Sequence, residues 1–228
     1  MRRDQTLSGL LAGLLFLLVA VAIGCATRNG REAARDAEAA IEAKRQTYEV
    51  YGLRRLDSFW DAVMLDLFSV EVVPVAGCMV TDEIVESTKA HNRVVDAYLA
   101  RAFGADWSEQ AARECARREQ AAQEASLALI DAGRPTYLAL QDSEGFMTDT
   151  LWQETLFDLF GVPSRRIEAD RDDSTSWSEA FATQAAHNKP LYDHLDELHG
   201  EDWLERLQAE VERRRGLRNG AAHADGAA

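Results

Sequence analysis

The residues whose types and spacing could carry chemistry are two histidine–asparagine pairs, His91-Asn92 and His187-Asn188. An imidazole can ligate a metal or exchange a proton near neutral pH. Helical periodicity puts Ile84, Thr88, His91, Val95, Tyr98 and Ala102 on one stripe, and Ala180, Gln184, His187, Leu191, His194 and Leu198 on another. Both imidazoles therefore face inward from largely apolar helix faces. Two uses follow. Together the pairs could form a small-ligand or metal site, with Asn92 and Asn188 beside the rings. Alternatively, each histidine is a core residue bonded to a backbone carbonyl, and each asparagine relieves a helix irregularity. Pro190, which cannot donate to Ala186, favours the second use.

Nothing else in the chain has the spacing of a known catalytic or metal motif. There is no His-Glu-x-x-His, and neither paired histidine belongs to a Glu-x-x-His. A Gly-rich phosphate loop and a Gly-x-Ser-x-Gly elbow are also lacking. No motif requires a cofactor, and no nucleophile stands at a supported distance from a base, so an enzyme is not the leading expectation. Asp196 and His199 have chelate spacing but read as a solvated helix end. Glu168, Asp170, Asp172, Ser176 and Glu179 match positions of an EF-hand-like loop, but Asp173 stands where that loop needs Gly. Ser176 and Glu179 also make a capping box. Cys78 and Cys115 are candidates for a disulfide outside the cytoplasm. If Cys78 precedes one helix and Cys115 lies two turns into its antiparallel successor, the thiols stand about 20 Å apart. A bridge needs Cα atoms within about 7 Å, so the 70–77 loop would have to fold down the helices.

The elements that would hold these groups come twice. Trp60 is followed by Asp66-Leu67-Phe68-Ser69-Val70, and Trp152 by Asp158-Leu159-Phe160-Gly161-Val162, a shift of 92 residues. His91-Asn92, Gly104, Asp106, Trp107 and Glu109 recur as His187-Asn188, Gly200, Asp202, Trp203 and Glu205, each shifted by 96. Gly104 and Gly200 suit a helix stop in the left-handed conformation. Asp106 with Glu109, and Asp202 with Glu205, suit the start of the next helix as capping boxes. Trp107 and Trp203 then anchor a helix–helix corner. Apolar residues at helical spacing from Tyr48 to Leu67, and the lack of sustained alternation, predict an all-α body; Val70–Val75 is the one β-branched cluster, and Pro74 interrupts it. The expected architecture is a helical bundle of two similar three-helix repeats, 48–132 and 133–215, related by a pseudo-two-fold axis. A disordered tail, 216–228, follows.

The N-terminus reads as an address. Arg2 and Arg3 precede an apolar run from Leu7 to Ile23, the layout of a secretory leader. Val21-Ala22-Ile23-Gly24-Cys25 resembles the lipobox of bacterial lipoproteins. That resemblance implies cleavage after Gly24, a diacylglyceryl group on the Cys25 thiol and an acyl chain such as palmitate on the new amine. It also implies anchorage in the cell envelope, and Ala26, where Asp would signal retention, favours an outer membrane if the cell has one. The alternative is an uncleaved signal anchor over 1–24. Either way the body faces outside the cytoplasm. Ala-rich, charged Arg31–Gln46 would form a solvated helical stalk within a 25–47 tether.

The totals agree with a folded, anchored body. The chain has 228 residues, 25 Lys+Arg against 39 Asp+Glu, and a net charge of −14. Arg2, Arg3 and Asp4 together carry +1, so loss of the leader takes −14 to −15. Such an acidic surface excludes a nucleic-acid partner and is repelled by anionic lipid. The expected role is a membrane-anchored binding or scaffolding domain, attached to lipid through Cys25, with a protein partner or a second copy of the chain to bind. The alternative is a small-ligand or metal-binding protein using His91 and His187 at the repeat interface.

Overall fold

The computed structural model describes residues 29–51, 58–76, 80–142, 150–169 and 174–225. Residues 1–28, with the expected leader and Cys25, and Cys78 and the 170–173 segment lie outside them. In chain order the described residues form α1 (Gly30–Glu42), β1 (Thr47–Tyr51), α2 (Trp60–Phe68), β2 (Glu71–Ala76), α3 (Asp82–Phe103), α4 (Trp107–Asp131), β3 (Tyr137–Asp142), α5 (Thr150–Phe160), β4 (Ser164–Ala169), α6 (Ser174–His199) and α7 (Trp203–Asp225). The fold is mostly helical. Cα proximity divides it into two compact units, one of residues 1–54 with 64–108, the other of 55–63 with 109–228.

In unit 1, β1 and β2 form a parallel pair, with Thr47 opposite Glu71 and Val50 opposite Pro74. Parallel strands need a crossover, and α2 lies within it. The register slips between Val50 and Tyr51, which lie opposite Pro74 and Ala76 and leave Val75 as the extra residue of a bulge. The long helix α3 packs along β1 and buries Thr88, His91, Val95 and Leu99. In unit 2, β3 pairs in parallel with β4 from Tyr137–Ser164 to Asp142–Ala169, with α5 in the crossover. There α6 packs on both strands and α7 on α5. Leu151, Leu156, Val162, Leu191, Leu195, Trp203, Leu207 and Val211 make the core.

Three sequence expectations change. The Tyr48–Leu67 run is not one helix: Thr47–Tyr51 is a strand, because β-branched and aromatic residues there pack on α3. The supposed stalk is helical but not solvated. Asn29 caps α1 by accepting from the Arg31 and Glu32 amides at 3.1 and 3.0 Å, and Ala33 and Ala37 are fully buried. A Cβ at Gly30 would stand 3.3 Å from Ala90 Cβ, so the small residues that thinned the apolar stripe are what let α1 approach α3. Finally, α7 runs through Gly216 to Asp225, beyond the expected end of the last helix.

The helix stops are local. Gly161, at φ 69°, donates to Phe157 O at 2.8 Å. Ser69 occupies the corresponding turn at φ 55°, donating to Leu65 O while Val70 N–H reaches Met64 O. Gly104 and Gly200 also have positive φ, 104° and 83°.

Candidate site at the histidine–asparagine pairs

Each long helix, α3 and α6, grips a strand through its His-Asn pair. In unit 1, Asn92 Oδ1 accepts from Glu49 N–H at 2.9 Å and Asn92 Nδ2 donates to Glu49 O at 2.7 Å. In unit 2, Asn188 does the same to Leu138, both bonds at 2.8 Å. One amide thus satisfies both backbone groups of a single strand residue, on the side turned away from the partner strand. Gln184 Nε2 adds a second bond to Leu138 O at 3.1 Å. The asparagines therefore serve the strands, not irregularities of their own helices.

The histidines sit one residue earlier. A carbonyl can only accept, so His91 Nε2 is the donor to Thr47 O at 2.9 Å, and His187 Nε2 to Thr136 O at 3.2 Å. Both rings are buried. Their surroundings differ. His91 Nδ1 faces Glu49 Oε1 at 3.4 Å, and these two atoms attract only when a proton lies between them. In unit 2 the corresponding strand residue is Leu138. Burial pushes the His187 pKa below its usual value, against bonds to the Thr136 and Ala122 backbone that favour the charged ring.

His91 and Glu49 line a cavity of about 550 Å³ in unit 1, together with Asp36, Arg45, Gln46 and Glu71. Gln46 Nε2 is held by Tyr98 Oη at 2.9 Å. The lining mixes Ala40 and Leu65 with charged side chains of both signs. Among the described residues no three His, Cys, Asp or Glu side chains converge as a metal site.

The corner residues pack as a unit. Trp107 meets the ring of Phe68 edge-on at 5.9 Å and 87°, and Trp203 meets Phe160 at 5.8 Å and 86°. Trp203 Nε1 donates to Asp196 Oδ1 at 2.7 Å, while His199 lies 4.8 Å from the Phe160 ring. That accounts for both residues of the Asp-x-x-His spacing. Glu109 pairs with Arg113 and Asp202 with Arg206, each at 3.6 Å. Asp106 and Glu205 are exposed at the starts of α4 and α7. Glu168 is in β4, and Glu179, in α6, accepts from Arg118 Nη1 at 3.0 Å. Cys115 is half-buried with a free thiol, and burial raises its pKa.

The sequence reading missed Glu49, Arg45 and the residues whose carbonyls accept from the two histidines, Thr47 and Thr136. One signal was present: Thr47-Tyr48 recurs as Thr136-Tyr137, shifted by 89. Among the described residues no helix is long and apolar enough to cross a membrane. No family model, curated protein or solved structure matches the chain.

Proposed function

We propose that the chain is a membrane-anchored envelope lipoprotein whose mostly helical body is a binding or scaffolding domain and not a catalyst. The observation that carries this is Val21–Cys25, the lipobox-like segment placed directly ahead of a folded, acidic body. The two units read as copies of one module, supported by the matching asparagine clamps and Trp–Phe corners. Exposed Leu67 and Phe103 flank the corner of unit 1, and exposed Phe157, Leu159, Leu198 and Leu204 flank that of unit 2. Solvated apolar side chains grouped by sequence around a packed corner suit a protein partner or a second copy.

Metabolic labelling with an alkyne analogue of palmitate tests the anchor. The wild-type chain should be labelled and membrane-bound, and Cys25→Ser should lose both. Membrane association without label would identify an uncleaved signal anchor. Label persisting on the serine variant would refute the lipobox assignment.

A second reading is a small-ligand or metal-binding protein using His91 and His187, with Asn92 and Asn188 beside them. One observation favours it: His91 lines the cavity of unit 1.

A further inference from the structure

We propose that a cavity within unit 2 binds one neutral sugar ring, stacked on the aromatic walls of Tyr137, Trp152 and Phe181 and bonded through Gln153 and Gln184. The cavity measures about 270 Å³, and neither paired histidine lines it. It lies near the lower end of small-molecule sites, which suits a single ring.

The walls come from three elements and are held in place before any ligand arrives. Tyr137 in β3 and Trp152 in α5 pack against the core of unit 2. Phe181 in α6 packs on Leu140, Ala169 and Ala180, with the Trp177 ring 6.2 Å away. The Tyr137 and Tyr192 side chains are hydrogen-bonded to each other, which fixes the Tyr137 ring. Walls set by packing cost a ligand little ordering. The lining is also particular to this part of the chain. The sequence shifts of 92 and 96 place Asp61, Val85 and Thr88 where Gln153, Phe181 and Gln184 stand.

The lining sorts the ligand classes. None of the described residues around the cavity is charged, although the chain carries −14. A charged ligand would lose hydration there and gain no counter-charge. A hydrocarbon would desolvate the two amides without bonding them. Gln153 Oε1 accepts from Ser164 Oγ at 2.8 Å, and Gln184 Nε2 donates to Leu138 O at 3.1 Å. That leaves Gln153 Nε2 to donate and Gln184 Oε1 to accept, and neither atom is sealed from solvent. A sugar hydroxyl does both, and hydroxyls around the rim of a pyranose can reach amides on two different helices. The C–H groups on its face carry partial positive charge, which suits the negative face of an aromatic ring.

The test uses the full chain in micelles of a sugar-free detergent, with saturation-transfer NMR titrations of D-glucose, N-acetyl-D-glucosamine, gluconate and indole. Both sugars should bind, with the strongest transfer at their C–H protons. Gluconate, charged and open-chain, should not bind. Phe181→Val, which copies Val85, should weaken both sugars about fivefold through the loss of one aromatic contact. Gln153→Ala should also weaken them about fivefold, for one lost hydrogen bond, and it carries the test if Phe181→Val fails to fold. Sugar binding that is absent from the wild-type chain, or unchanged in the folded variants, would overturn the proposal. Indole binding that the variants weaken, with no sugar binding, would make the cavity an aromatic-ring site and overturn it as well.

Discussion

Replacing Asn188 by alanine should destabilise the second unit by about 3 kcal/mol. Asn188 is 2% exposed and makes two bonds to Leu138. Losing them does not affect the two backbone groups equally. Leu138 O keeps Gln184 Nε2 at 3.1 Å, so the loss there is about 1 kcal/mol. Leu138 N–H has no such reserve. The residue is 8% exposed, and an orphaned buried donor costs about 1–3 kcal/mol. With a urea slope of about 2 kcal/mol per M, the midpoint should fall by roughly 1.5 M. Hydrogen exchange gives the local reading: the Leu138 amide should lose its protection while core amides of α7 keep theirs. Asn188→Asp separates the two bonds. It retains an acceptor for the N–H but sets a carboxylate against Leu138 O, so it should be no more stable than the alanine variant. A midpoint shift below about 0.3 M, or an aspartate variant matching wild type, would refute the clamp as a source of stability.

Two further outcomes follow from single positions. Ser69→Gly should stabilise the chain by up to about 1 kcal/mol, since Ser69 holds a left-handed φ of 55°. Gly161→Ala should cost about the same, because a Cβ at 161 meets nothing within 4 Å and only the φ of 69° opposes it; thermal melts of both variants check the pair. Stability should also fall as pH drops below the ordinary histidine value of 6.5, because burial holds the His187 pKa lower when folded. The unfolded chain then takes up the proton first, so unfolding gains free energy as the pH falls from 6.5 through the folded value. Urea midpoints between pH 7.5 and 5 should show this slope, and His187→Gln should flatten it.

The long elements were legible because their signals were strong and local. The end of α3 at Phe103 and the start of α4 at Trp107 were legible in the Gly104-x-Asp106-Trp107 corner. The inward stripe of His91 and His187 was legible for the same reason. The strands were not. Thr47–Tyr51 and Tyr137–Asp142 are short, and each has apolar residues on positions that a helical count also accepts. Their partners, β2 and β4, carry Pro74 and the Arg165-Arg166 pair, which weaken any strand signal. The cavity was invisible because Asp36, Glu49 and His91 come from three separate elements. Only the packing of α1 against α3, carried by alanines with no striking hydrophobic pattern, brings them around one space.

The asparagine clamps also decide how another chain can be recognised. A two-stranded sheet normally offers two raw edges, and an extended peptide can join either one as a third strand. Here Asn92 and Asn188 take both main-chain groups of one residue, Glu49 or Leu138, on one edge of each sheet. The opposite edges are guarded by Pro74 and by the exposed Arg165 and Arg166, the features that discourage strand addition. Main-chain pairing is therefore discouraged at these positions on each edge. In the proposed envelope setting these features would keep the sheets from polymerising, and a partner would read side chains on the helical corners.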